Sequence, residues 1–160
     1  VSEGLMAGRT VVVGIGNPAR GDDGVGTMIA EKLMIDEGID RHRVLVIDAG
    51  SVPENYLEPI IRELPRQVVL IDACNFGAVP GEFRFFNPEE LAHLQLKGFS
   101  THTLPLNTLA TVITQETLSP VWLFGIQPAR TGLGETLSSP VSAAVPRALG
   151  FLRGWLAVKG

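Results

Sequence analysis

The stretch Gly14-Ile15-Gly16-Asn17-Pro18-Ala19-Arg20-Gly21-Asp22-Asp23-Gly24-Val25-Gly26 constrains this chain more than any other, because it joins a Val/Ile run to an amphipathic repeat. A strand feeding a helix through a glycine-rich link is the opening unit of an α/β domain. Glycine frees the backbone for a close approach to a ligand. A phosphate cradle of this kind would carry a Lys at the helix start. Here no Lys follows, and two adjacent carboxylates stand in its place, so the loop suits a cation.

Further along, apolar periodicity alternates between strand and helix. Thr10 to Gly16 reads as a strand covered on both faces, followed by a helix from Asp23 or Gly24 to about Glu37 with Val25, Ile29 and Leu33 on one stripe. Arg43 to Asp48 is a second strand. Ser51 and Glu54 then have the spacing of a capping box for a helix reaching Leu64. Gln67 to Ala73 is a third strand, and Gly81 to Phe86 a short aromatic edge strand. Asn87-Pro88-Glu89-Glu90 starts a helix ending by Gly98, and a loop to Thr103 carries His102. A helix around Leu106, Leu109 and Ile113 precedes a last strand, Val121 to Gln127. The long segment Arg130 to Ser138 is either a mobile connection or a functional loop. A final helix from Ser139 to about Val158 is expected to bend at Pro146.

Such alternation implies parallel pairing and helices on both sheet faces, a three-layer α/β/α sandwich. The 160 residues fit one domain, 1–160. A net charge of -4, with 13 scattered basic residues, argues against nucleic acid or anionic membrane as a partner. The single cysteine, Cys74, excludes an intrachain disulfide framework and suits a reducing compartment. Apolar runs such as Val68 to Ile71 fall far short of the roughly 20 residues that span a bilayer. Val1 to Arg9 has no secretion-signal pattern, so the expected location is the cytoplasm. A monomer is expected.

Ligands of open α/β sheets bind beyond the carboxyl ends of the strands, where strand order reverses. That rule selects Asp23 and Asp72, which flank the crevice if strands two and three lie on either side of strand one. Asp22 is read as a residue that shapes or caps the helix start. Asp48, at the end of strand two, either caps its own turn through Gly50 and Ser51 or takes part in catalysis. His42 falls at the opposite end of the sheet and His93 in a polar helix, which leaves His102 as the imidazole able to join the two acids. Two carboxylates and an imidazole leave coordination positions open, and suit nickel, zinc or iron. Cys74 is a possible fourth ligand or a buried inert thiol.

These pieces resemble the maturation endopeptidases of nickel-iron hydrogenases, most closely the branch that processes hydrogenase 3. The resemblance rests on the glycine-loop block, Asp48-Ala49-Gly50-Ser51-Val52-Pro53-Glu54-Asn55, Ile71-Asp72-Ala73, Thr101-His102-Thr103-Leu104-Pro105-Leu106 and Gly125-Ile126-Gln127-Pro128, in that order along nearly the whole chain. It implies a mixed five-stranded sheet of order 2-1-3-5-4 with strand four antiparallel, of the phosphorylase/hydrolase-like kind. It also implies a protease that removes a C-terminal extension from the hydrogenase large-subunit precursor once nickel is in place, with nickel in that precursor as the recognition signal. The metal-contacting acids fall on Asp23 and Asp72 and the histidine on His102. Asp48 is a candidate to activate the attacking water. Thr103 stands where relatives often carry Asn or Gln. Two other functions fit parts of the pattern: a non-enzymatic nickel carrier using the same three ligands, and a nucleotide-binding module, which the missing Lys disfavours.

Overall fold

The computed structural model describes residues 8–95 and 104–160. Among them, five strands form one sheet: β1 (Thr10–Ile15), β2 (Val44–Gly50), β3 (Gln67–Ala73), β4 (Phe83–Phe86) and β5 (Val121–Ile126), in the order β2-β1-β3-β5-β4. Pairing is parallel throughout except between β4 and β5, which run antiparallel. The expected topology is therefore the observed one, and β1 lies between β2 and β3.

The period-two alternation of the strands divides the core in two. Val12, Val69, Ile71 and Phe124 face α1 (Val25–Met34) and α5 (Ser139–Lys159), burying Ile29, Leu33, Val145 and Leu152. Val11, Val13, Val68, Leu70 and Leu123 face the other layer, formed by α2 (Leu57–Arg62), α3 (Pro88–Ala92) and α4 (Leu106–Thr117). These are the three layers that the alternation of elements implied. No helix among the described residues is long and apolar enough to cross a membrane.

Several boundaries differ from the sequence expectation, three of them for an identifiable local reason. The Ser51–Glu54 capping box does not form: the residue ahead of the 3-10 turn Pro53–Tyr56 is Val52, whose side chain offers no acceptor, and α2 starts only at Leu57 and ends at Arg62. β2 runs past Asp48 to Gly50 because a bulge lets Ile15 pair with Gly50 while Gly14 pairs with Asp48. Helix α1 stops at Met34 rather than Glu37, where the Arg41 guanidinium donates to the carbonyls of Leu33, Met34 and Asp36. By contrast the Asn87 capping box is present, with Asn87 Oδ1 accepting from Glu90 N at 2.8 Å and Glu90 Oε1 accepting from Asn87 N at 2.9 Å. α3 nonetheless ends at Ala92, earlier than expected.

Candidate functional site at the β1–β3 crevice

The glycine loop folds as a 3-10 turn, Gly21–Gly24, stacked on the start of α1. Gly16 turns the chain out of β1 at φ +145°, and a Cβ there would lie 1.8 Å from the Asp23 carbonyl oxygen, so only glycine fits. Asn17 donates its backbone N–H to Asp23 Oδ2 at 2.8 Å, while Asn17 Oδ1 accepts from Ala19 N at 3.0 Å. Gly26 sets the helix hard against the sheet: a Cβ would meet the carbonyl oxygens of Ile15 and Ile71 at 2.3 and 2.4 Å. The helix start therefore rests on the last residue of β1 and on the residue just before Asp72. Asp23 and Asp72 are brought to the same carboxyl edge, only 4% and 1% exposed.

Along β3, Asp72 pairs with Gly125 of β5. Cys74 extends the ladder by donating its N–H to the Ile126 carbonyl at 3.0 Å, and its Sγ fills the space a Gly125 side chain would occupy. Burial pushes the Cys74 thiol well above its ordinary pKa, and the neighbouring Asp72 charge pushes it the same way. The thiol packs as a buried side chain against Gly125 and Phe86 in the core cluster.

Asp48 ends up in a different setting. It lies on β2 opposite Gly14, partly exposed, and its Oδ1 accepts from Gly50 N at 3.3 Å. The turn-capping half of its expected role is thus present. His102, with the Gly98 to Thr103 loop, lies outside the described residues. Among the described residues no group of three or more His, Cys, Asp or Glu is gathered to hold a metal.

Asp22 does something the sequence reading missed. Rather than capping α1, it reaches across to the segment after β5. Its Oδ2 accepts from Ala129 N, Arg130 N and Ser138 Oγ at 2.8, 3.1 and 2.7 Å, and its Oδ1 accepts from Ser138 N at 2.7 Å. Burial disfavours the charge, but these four bonds outweigh it and hold the carboxyl below its ordinary pKa. Backbone bonds from Gly21 N to Glu135 O, Asp22 N to Arg130 O and Gly134 N to Ala19 O complete the join. The 130–138 segment is thus a strap clamped to the glycine loop. Gln127 is a second missed organiser: its Oε1 accepts from Phe76 N and Ala78 N, and its Nε2 donates to Asn75 Oδ1, fixing the turn after β3. A signal for both was present, since each is a polar residue at the mouth of a buried strand or loop; their partners are more than 48 residues away along the chain.

A family model described as hydrogenase maturation protease, HycI, matches residues 28–154. The chain belongs to this family. It is 34% identical over 145 residues to the hydrogenase 3 maturation protease of Escherichia coli strain K12, covering 91% of this chain and 89% of that protein. The crystal structure of the NiFe hydrogenase maturation protease HycI from Thermococcus kodakarensis KOD1 superimposes with a TM-score of 0.80 at 38% identity, over 93% of this chain and 92% of that one. The hydrogenase maturating endopeptidase HybD from E. coli also reaches a TM-score of 0.80, at 24% identity, over 95% of this chain and 94% of that one, a likeness of fold. The five-stranded architecture is that of the hydrogenase maturation proteases.

Proposed function

We propose that this chain is an endopeptidase that removes the C-terminal extension of a nickel-iron hydrogenase large-subunit precursor after nickel insertion. The observation that carries the reading is the placement of two buried carboxylates, Asp23 and Asp72, at the carboxyl ends of β1 and β3 in a maturation-protease fold. Carboxylate oxygens at such an edge are ligands for a divalent cation. With the imidazole of His102 they make a mixed oxygen and nitrogen donor set, which suits a borderline divalent ion such as nickel.

In this reading the nickel belongs to the substrate. Asp23, Asp72 and His102 bind the nickel that the precursor presents, and in doing so hold the scissile peptide over the crevice. Water then attacks the carbonyl carbon, the C–N bond breaks, and the new amine takes up a proton. A carboxylate at the edge accepts the proton that the water loses, and Asp48, which is open to solvent, is the candidate for it. The precursor without nickel lacks the group that the three ligands grip, so it is not cut.

A nickel carrier would hold the same ion and leave the precursor whole. Asp23→Ala and His102→Ala separate the two readings: each is expected to abolish shortening of the nickel-loaded large subunit, seen by intact mass, with an unchanged circular dichroism spectrum. Retained cleavage by either variant would reject the site assignment, and no cleavage by the parent chain would reject the protease reading.

A further inference from the structure

Along the glycine loop lies a groove of about 270 Å³. Its floor is the glycine loop at Pro18, Gly21 and Gly24, one wall is α1 at Met28 and Glu31, and the other is the strap at Leu137. Gly21 and Gly24 flank Asp22 and Asp23, so the groove and the proposed centre share the glycine loop. It is smaller than the roughly 300–1,000 Å³ of drug-sized ligand sites, and suits a few side chains of an extended polypeptide rather than a nucleotide.

The walls are not loose surface. The strap is fixed in place by the four bonds to the buried Asp22 carboxylate and by the backbone bonds to Ala19, Gly21 and Asp22. Met28 and Leu137 are half-buried against the core cluster under α1, offering an apolar seat. Glu31 is the one charged residue of the lining and is exposed at the rim. A rim carboxylate beside an apolar seat favours a cationic side chain next to an apolar one, and disfavours an acidic segment.

We infer that this groove seats the polypeptide of the precursor beside the cleavage point, an apolar side chain against Met28 and Leu137 with a cationic side chain at Glu31. The inference rests on the protease reading above, and deepens it by giving the substrate a contact made without the metal. Such a contact acts in the ground state and in the transition state alike, so its loss raises KM and spares kcat.

The test uses the full chain and nickel-loaded large-subunit precursor, comparing Glu31→Lys and Glu31→Gln with the parent by initial rates. Glu31→Lys is expected to raise KM about 10-fold and Glu31→Gln about 3-fold, each with kcat within about twofold of the parent and with the difference shrinking at high salt. A photo-crosslinking residue in place of Thr136 is expected to attach to the precursor within the segment next to the cut. A parent chain that cuts, with KM unmoved in Glu31→Lys or the crosslink elsewhere on the precursor, overturns the groove and leaves the protease reading standing. A parent chain that does not cut overturns both.

Discussion

Two strands of this sheet end in nearly the same words, Val46-Ile47-Asp48-Ala49 on β2 and Leu70-Ile71-Asp72-Ala73 on β3, yet their carboxylates live in different places. Both strands pair parallel to β1, one on each side. The reversal of strand order falls between β1 and β3, so β3 ends in the crevice under the start of α1 while β2 ends beside it. Asp72 is 1% exposed, whereas Asp48 meets solvent and bonds to its own turn at Gly50. Topology, rather than the local tetrad, sets where each acid stands: Asp72 is enclosed at the crevice, and Asp48 is partly exposed to one side of it.

The comparison breaks most sharply at the acids themselves. Asp72→Asn is expected to lower cleavage of nickel-loaded precursor by about 10²-fold or more, because the nickel and the peptide it positions are no longer held. Nickel affinity, followed by calorimetry, falls with it. Asp48→Asn is expected to leave nickel affinity unchanged and to lower only the turnover, by no more than about 10²-fold. If Asp48→Asn weakened nickel binding as far as Asp72→Asn, the two strand ends would share one job and the distinction would fail.

A second contrast concerns the clamp, which links the glycine loop to the strap after β5. Asp22→Asn leaves four donors facing a neutral amide and is expected to lower unfolding free energy by about 3 kcal/mol, read by urea titration. The pH dependence has a defined sign. The folded-state pKa of Asp22 is depressed, so the stability it provides is fully present above the unfolded-state value and is lost as pH falls through the folded one. The gap between parent and Asp22→Asn should therefore be wide at neutral pH and close in acid. A gap that stayed constant down through the acid range would mean that the charge contributes nothing.

Glycines give a smaller test of the same asymmetry. Gly26→Ala would drive a methyl into the carbonyls of Ile15 and Ile71, and is expected to cost about 1–3 kcal/mol and to slow cleavage as α1 lifts from the β1 and β3 ends. Gly50→Ala, at the end of β2, meets no atom within 4 Å and suffers only its left-handed φ of +62°, about 1–2 kcal/mol, with cleavage unaffected. Equal loss of activity in the two would contradict the placement of the site. Least of all should change with Cys74→Ala: stability falls by about 1 kcal/mol, cleavage is retained, and the native parent resists thiol alkylation. Loss of cleavage there would restore the thiol to the ligand set.

Much of the fold could be read from the residues. Apolar runs marked β1, β3 and β5, because a strand buried on both faces has no polar alternation to confuse it with a surface helix, while a Val/Ile run marked β2 and aromatics marked the edge strand β4. The sheet order came with the family resemblance, not from periodicity. Asp72 was legible as a carboxylate that interrupts an apolar strand, and Asp23 as one of two acids in a glycine-rich turn. What sequence could not show were long-range partners. Asp22 looked like a local helix cap and instead bonds to Ser138 across 116 residues, and Arg41 closes α1 ahead of the expected end near Glu37. The Ser51 cap failed because the preference for Ser at a helix start is local, while here a 3-10 turn begins at Pro53 with Val52 ahead of it and the α-helix follows only from Leu57.

The central claim is that this chain cuts a large-subunit precursor only when nickel is in place. Intact mass spectrometry of the precursor, nickel-loaded and nickel-free, after incubation with the purified chain tests it most directly. The account predicts loss of a single C-terminal segment from the nickel-loaded precursor and an unchanged mass for the nickel-free one. Equal shortening of both, or of neither, would contradict it.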